Sequence, residues 1–248
     1  MAGIAVLGLG EAGGRLASDL AAAGADVRGY DPAVTGAFSD ARSAVAGADV
    51  VLSVNSAGAA LGAAKSALPG LRPDSVYADL NTAAPALKRE IADLVAGANV
   101  LFADVALLGP VPARGLRTPV LTSGTGARAF QEALTPLGMP VDVVSGEAGD
   151  AATLKLLRSV FMKGLAATAI ESLEAAEIAG HRDWLEGEIA GVIGEPLLAR
   201  LLEGSRQHAA RRVDEMEAAS ALLRELGVEP RIADASAALL ADLADTGR

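Results

Sequence analysis

Lys155, Ser159 and Lys163 stand at four-residue intervals among Leu154, Leu156, Leu157, Val160, Phe161 and Met162. On a helix that spacing stacks the three polar groups on one face. An ammonium in apolar surroundings must reach a cleft or a partner, because burying it alone is expensive. Partial desolvation also lowers a lysine pKa toward the range useful for proton transfer. A second stretch, Gly8-Leu9-Gly10-Glu11-Ala12-Gly13, offers backbone N–H groups instead of a side chain. Alcohol oxidation needs one group for the hydroxyl proton and one acceptor for the hydride. Together the two stretches imply a cofactor at one end of a cleft and an acid/base group at the other. The helix alone leaves open that its lysines snorkel to solvent or pair with Glu171 or Glu174.

The glycine stretch follows the β-type apolar run Gly3-Ile4-Ala5-Val6-Leu7 and precedes helical apolar spacing from Arg15 to Ala21. Gly8 can take the tight turn, Gly10 lets the backbone approach a pyrophosphate, and Gly13 lets helix and strand pack closely. Free N–H groups at the helix start favour the anion, which puts Leu9, Glu11 and Ala12 at the cofactor beside the glycines. The next β-run, from Asp26 to Tyr30, leads into Asp31. A carboxylate there can accept hydrogen bonds from an adenosine ribose diol and would repel a 2′-phosphate. NAD is therefore expected, with NADP as the alternative. The competing reading is a glycine turn of another α/β protein, with Asp31 a solvated loop acid.

Composition narrows the field. The 248 residues suffice for one large domain or two small ones with a substantial core. A formal net charge of −10 argues against nucleic acid and anionic membrane surfaces as partners. The absence of cysteine rules out disulfides, thiol catalysis and cysteine-bound metal. Only His181 and His208 supply imidazoles, too few for an ordinary zinc site, so no metal is expected. The most apolar windows are interrupted by Asp49, Lys65, Lys155, Arg158 and Lys163, which speaks against a membrane span. No basic segment precedes the first apolar run, so no signal peptide is visible and a cytoplasmic location is expected.

The elements that must position these groups fall into two blocks. Short β-type runs at 4–7, 26–30, 50–54, 75–78, 100–103, 120–123 and 141–144 alternate with helical stretches at 11–23, 58–67, 85–95 and 127–137. That alternation predicts a parallel sheet with crossover helices. Ligands of open α/β sheets sit outside the carboxyl ends of the strands. Asn55 and Ser56, Asn81 and Thr82, and the segment from Asp104 onward hold such places. Residues 151–179 read as one helix of about 30 residues, roughly 45 Å long. No strand pattern returns after it. Two domains follow: 1–148, binding the dinucleotide, and 149–248, all helical.

Four motifs carry a family resemblance. Gly149-x-Ala151-x-x-x-Lys155 resembles the G-x-G-x-x-x-K segment of the β-hydroxyacid dehydrogenase superfamily, which includes 3-hydroxyisobutyrate and 6-phosphogluconate dehydrogenases. The first glycine stretch resembles that family's GLGxMG. Asp79-Leu80-Asn81-Thr82-Ala83-Ala84-Pro85 is similar to its D-x-S-T-x-x-P loop beside the nicotinamide. Asp104-Val105-Ala106-Leu107-Leu108-Gly109-Pro110 sits where its substrate-binding D-A-P-V-S-G-G would be. The resemblance implies a Rossmann domain followed by an all-helical domain on a long inter-domain helix, with a small hydroxy acid or related alcohol between them. It implies Lys155 as the proton-transfer group, with Ser159 at the family's asparagine position. Cofactor contacts would include Val54, Asn55 and Thr82, and substrate contacts Asn81, Leu108, Gly109 and Lys163. It also implies a homodimer formed through the helical domain.

The chain departs from the pattern at several places. Leu108 and Pro110 replace the serine and second glycine of the substrate loop, removing a hydroxyl and a backbone donor. The family's C-terminal lysine would fall at Asp214. His208, Arg211 and Arg212 lie one turn earlier and could form a replacement anion site, or the arginines could pair with Glu215. An imine reductase of the same architecture and a non-catalytic dinucleotide-binding protein are the alternatives. Lys155 argues against both.

Overall fold

The computed structural model describes residues 3–34, 36 and 38–246. The first block consists of β1 (Gly3–Leu7), α1 (Glu11–Ala22), β2 (Asp26–Tyr30), α2 (Ala41–Val45), β3 (Val50–Ser53), α3 (Ala57–Ala67), β4 (Val76–Asp79), α4 (Pro85–Ala96), β5 (Leu101–Leu107), α5 (Val111–Arg114), β6 (Val120–Ser123), α6 (Ala127–Leu134) and β7 (Val141–Val143). The second is helical: α7 (Asp150–Ile178), α8 (Arg182–Ile193), α9 (Glu195–Gln207), α10 (Ala209–Glu225) and α11 (Arg231–Thr246).

The strands form one sheet in the order β2-β1-β3-β4-β5-β6-β7. Strand direction is parallel from β2 through β5. The expected all-parallel pattern breaks once, because β6 runs antiparallel to β5. Only the four-residue α5 and a short 3-10 turn lie between these strands, too little helix for the usual crossover. β5 also runs through Leu107, so Asp104 lies within a strand and not at the start of a loop.

Both sheet faces are covered, which explains why the strands read as continuous apolar runs. Ile4, Val6, Val50 and Leu52 enter one core with Leu16, Leu20 and Phe130. Their alternating neighbours Ala5, Leu7 and Val51 enter the other with Ala64, Ile91 and Val95. A third core, around Leu173, Leu198, Met216 and Leu240, belongs to the second block. The chain divides into compact units Met1–Lys155 and Leu156–Arg248. The division falls inside α7, so the expected break at Gly149 marks the start of that helix and not the end of the first unit.

Candidate active site

From β1 the chain passes to β2 on one side and to β3 on the other. The turn after β1 therefore opens at a topological switch point, where such sheets bind ligands. The three glycines of that turn take three different roles. Gly8 has φ +96°, and a Cβ there would overlap the Val54 carbonyl oxygen. A Cβ on Gly13 would overlap the Gly8 carbonyl oxygen, so close helix–turn contact requires glycine. Gly10 has nothing within 4 Å of a Cβ, which leaves open approach to the backbone at the N-cap of α1.

No side chain caps that helix start, and its first-turn N–H groups, on Glu11, Ala12 and Gly13, have no intrahelical acceptor. Uncapped donors beside an unobstructed glycine fit a pyrophosphate. Asp31 accepts hydrogen bonds from the N–H groups of Leu9 at 2.7 Å and Ala33 at 2.8 Å. Its carboxylate thus ties the end of β2 to the glycine turn, and its remaining lone pairs can still take ribose hydroxyls.

A polar row crosses the sheet at the carboxyl ends of β3 and β4 and through the middle of β5. Ser53 pairs in register with Asp79, Asp79 with Asp104, and Asp104 with Ser123 of β6. All four are buried. Ser53 Oγ accepts from the side-chain amides of Asn55, at 3.0 Å, and Asn81, at 3.2 Å. Asn81 Oδ1 in turn accepts from the Asn55 N–H. Asp79 Oδ1 accepts from the backbone N–H of Asn81 at 3.0 Å and from its amide. Asn81, expected at the substrate, is therefore engaged within this network, whereas Thr82 beside it is exposed.

Asp104 and Ser123 organise the start of α7. Asp104 Oδ2 accepts from the N–H groups of Gly149 at 3.1 Å and Ala152 at 2.9 Å. Ser123 Oγ accepts from the N–H of Ala151 at 3.0 Å. A helix N-terminus whose orphan donors meet a carboxylate is held both by hydrogen bonds and by its dipole. Gly149, at φ +100°, packs against Pro85 at the start of α4. One turn further along α7, Lys155 Nζ donates to Thr82 Oγ1 at 2.6 Å.

Ser159 and Lys163 belong to the second unit and form a different cluster. Lys163 Nζ lies 3.0 Å from Glu215 Oε1 on α10 and 3.3 Å from Ser159 Oγ. Ser159 Oγ also donates to Glu215. Burial pushes the Lys163 pKa down, and the Glu215 carboxylate opposes that shift. Arg212 donates to Ser205 Oγ at 2.6 Å across α9 and α10. Burial lowers its pKa too, against the pull of Glu215. His208, at the junction of α9 and α10, is exposed.

Residues 3–138 match the NAD binding domain of 6-phosphogluconate dehydrogenase. The chain belongs to the β-hydroxyacid dehydrogenase superfamily. Residues 176–243 match a domain of unknown function. A conserved hypothetical protein of Sinorhizobium meliloti is 31% identical, covering 97% of this chain and 88% of its own, with a TM-score of 0.80. A 3-hydroxyisobutyrate dehydrogenase of Mycobacterium tuberculosis, solved with L-serine, shares the fold at 22% identity and TM-score 0.85, over 99% of this chain and 94% of its own. An uncharacterized 28.5 kDa protein of Methanothermus fervidus is 29% identical over 182 residues, 72% of this chain and 69% of that one. As a member of this superfamily, the chain has a nicotinamide dinucleotide-binding domain and is dehydrogenase-like.

Within that superfamily frame, Leu108 and Gly109 follow β5 and are half-buried, with the Leu108 N–H donating to Pro119 O at 2.9 Å. Sequence reasoning missed Lys88. Its side chain is 1% exposed, with Nζ 3.4 Å from Asp79 Oδ2, 3.2 Å from Asp104 Oδ1 and 2.8 Å from the Asp79 carbonyl oxygen. The signal was available: Lys88, Ile91 and Val95 fall on one helical face, and all three are buried.

Proposed function

We propose that this chain is an NAD(P)-dependent dehydrogenase that transfers hydride between the nicotinamide and a small hydroxy acid or related alcohol. Lys155 is the general acid/base. The observation that carries this reading is the Lys155–Thr82 hydrogen bond. It holds an amine beside the loop after β4, on the sheet edge where the glycine turn opens.

The bound cofactor supplies the hydride acceptor. The chain's part in oxidation is to take the substrate hydroxyl proton onto Lys155 Nζ, and in reduction to return it. Thr82 aims the amine, and Asn55 and Asn81 shape the strand ends beside it. Ser159 and Lys163 supply further polar groups on α7. Leu108, Gly109, His208 and Arg212 are the substrate-side residues of this reading. Asp31 favours NAD, since a 2′-phosphate would meet a carboxylate already fixed against the turn.

The chain works as a homodimer in this reading. None of the residues of α8 is buried. Trp184 and Val192 on it are 67% and 86% exposed, and Ile178 just before it is 90% exposed. A second copy covering that surface would remove it from water.

The deciding experiment is a screen of hydroxy acids, sugar acids and cyclic imines with NAD(H) and NADP(H), following absorbance of the reduced nicotinamide. Turnover of a hydroxy acid supports the reading. Turnover of imines alone sinks it.

A further inference from the structure

Lys88 stands at the meeting point of two segments that the proposed chemistry needs. One is the loop after β4. Asp79 holds the backbone N–H and side-chain amide of Asn81, and the next residue is Thr82. The other is the first turn of α7. Asp104 holds the N–H groups of Gly149 and Ala152, and one turn later comes Lys155. Each carboxylate uses one oxygen for its segment and turns the other to the Lys88 ammonium. Those two inward oxygens, Asp79 Oδ2 and Asp104 Oδ1, are buried and make no conventional hydrogen bond. Lys155 and Thr82 then join the far ends of the two segments. The contacts close into a ring: Lys88, Asp79, Asn81, Thr82, Lys155, the α7 first turn, Asp104 and back to Lys88.

An ammonium in the first turn of a helix is opposed by the helix dipole. Full burial adds a desolvation penalty. A lysine is therefore a poor choice for the inward face of α4 if packing alone were required. Its placement between two carboxylates that each fix a different segment gives it a purpose that an apolar residue could not serve.

We propose that Lys88 is a positioning residue for the Lys155 amine, acting through Asp79 on the Thr82 loop and through Asp104 on the start of α7. This rests on the reading of Lys155 as the proton-transfer group. It adds that the distance between amine and loop is set by one buried ion cluster.

The test uses the full chain with Lys88→Met, Lys88→Arg and Asp104→Asn. The first readout needs no substrate: the rate at which acetic anhydride labels Lys155, measured by mass spectrometry against free lysine. Release of the amine from Thr82 should raise that rate at least threefold in Lys88→Met and Asp104→Asn. Lys88→Arg, which keeps the charge, should fall between them and the parent chain. Amide exchange at Gly149 and Ala152 should speed up in the same order.

The second readout is a double-mutant cycle on the hydroxy acid turned over in the screen. Lys88→Met should lower kcat at least tenfold in the parent chain and have little effect when Lys155 is already alanine. Equal fractional losses in both backgrounds would mark Lys88 as merely structural and overturn the proposal. So would a Lys155 labelling rate within twofold of the parent in folded Asp104→Asn, which keeps the test open if Lys88→Met does not fold. The labelling result stands whether or not Lys155→Ala lowers turnover, so failure of the catalytic reading is seen separately.

Discussion

The Nζ of Lys155 donates to the Oγ1 of Thr82 at 2.6 Å, joining the first turns of α7 to the loop after β4. If the amine handles the substrate proton, Lys155→Ala should lower turnover by about 10²–10⁴-fold, the usual loss of a general acid/base. NADH affinity should stay within about threefold, since the glycine turn is untouched. Thr82→Val removes one hydrogen bond of about 1 kcal/mol and should lower turnover by roughly fivefold. Stopped-flow turnover and NADH fluorescence titration measure both. A Lys155→Ala variant with near-parental turnover would remove the residue from the mechanism.

The glycines of the turn should separate by role. A Cβ on Gly13 meets the Gly8 carbonyl oxygen, so Gly13→Ala should destabilise the fold by about 1–3 kcal/mol, as overpacking does. Gly10 has φ −63° and open space around it, so Gly10→Ala should melt within a few degrees of the parent. Its methyl would stand where a pyrophosphate must approach, and NADH should bind at least tenfold more weakly. Thermal melts and NADH titrations of the two variants give opposite patterns, and matching ones would count against the assignment.

Cofactor choice rests on Asp31. Calorimetric titration should show NADH binding more tightly than NADPH. Asp31→Ala should narrow that gap while also weakening NADH, because the Leu9 N–H loses its acceptor. A clear NADPH preference in the parent chain would reverse the reading of this carboxylate.

Asp19 gives a pH signature. Its Oδ2 accepts from the Leu116 N–H at 2.9 Å, and that bond holds its carboxyl pKa below the ordinary 3.8, with help from Arg15. A depressed folded pKa stabilises the fold above the unfolded value, and that stability disappears as pH falls through the folded value. Urea midpoints of the parent should therefore fall more steeply below about pH 4 than those of Asp19→Asn. Parallel acid limbs in the two proteins would show that the bond adds no such stability.

Assembly is tested by light scattering at micromolar concentration. The exposed Ile178, Trp184 and Val192 should be covered in a two-chain particle, with an interface upward of about 2,000 Å² typical of obligate dimers. A particle of one chain mass, 24.8 kDa, would refute it. Trp184→Glu should shift a dimer toward monomer.

How much of this could be read beforehand depended on how local each feature is. The glycine turn was legible because its three roles lie within six residues and each depends on backbone geometry. The long helix was legible because no proline interrupts residues 151–178 and helix-forming alanine and leucine run through them. The direction of β6 was not, since the apolar pattern of a strand is the same whichever way it runs. The partners of Asp79, Asp104 and Lys163 were not, because each is fixed by pairing between distant segments. Lys163 finds Glu215 on another helix, where the sequence offered Glu171 and Glu174 on its own. Lys88 lay between these cases: its helical phase was visible, but its charge invited a solvent-facing assignment.

The row of Ser53, Asp79, Asp104 and Ser123 has a consequence for how the chain reaches its native state. A strand that slips by one residue turns all of its side chains to the opposite face. A slip in β3, β4, β5 or β6 would therefore withdraw one member of the row and strand its partners among apolar neighbours without acceptors or donors. Misaligned sheets are penalised at the edge where the amine of Lys155 is held. The polar edge thus acts as a registration mark for strand pairing, and a molecule that has not aligned its sheet cannot present that amine.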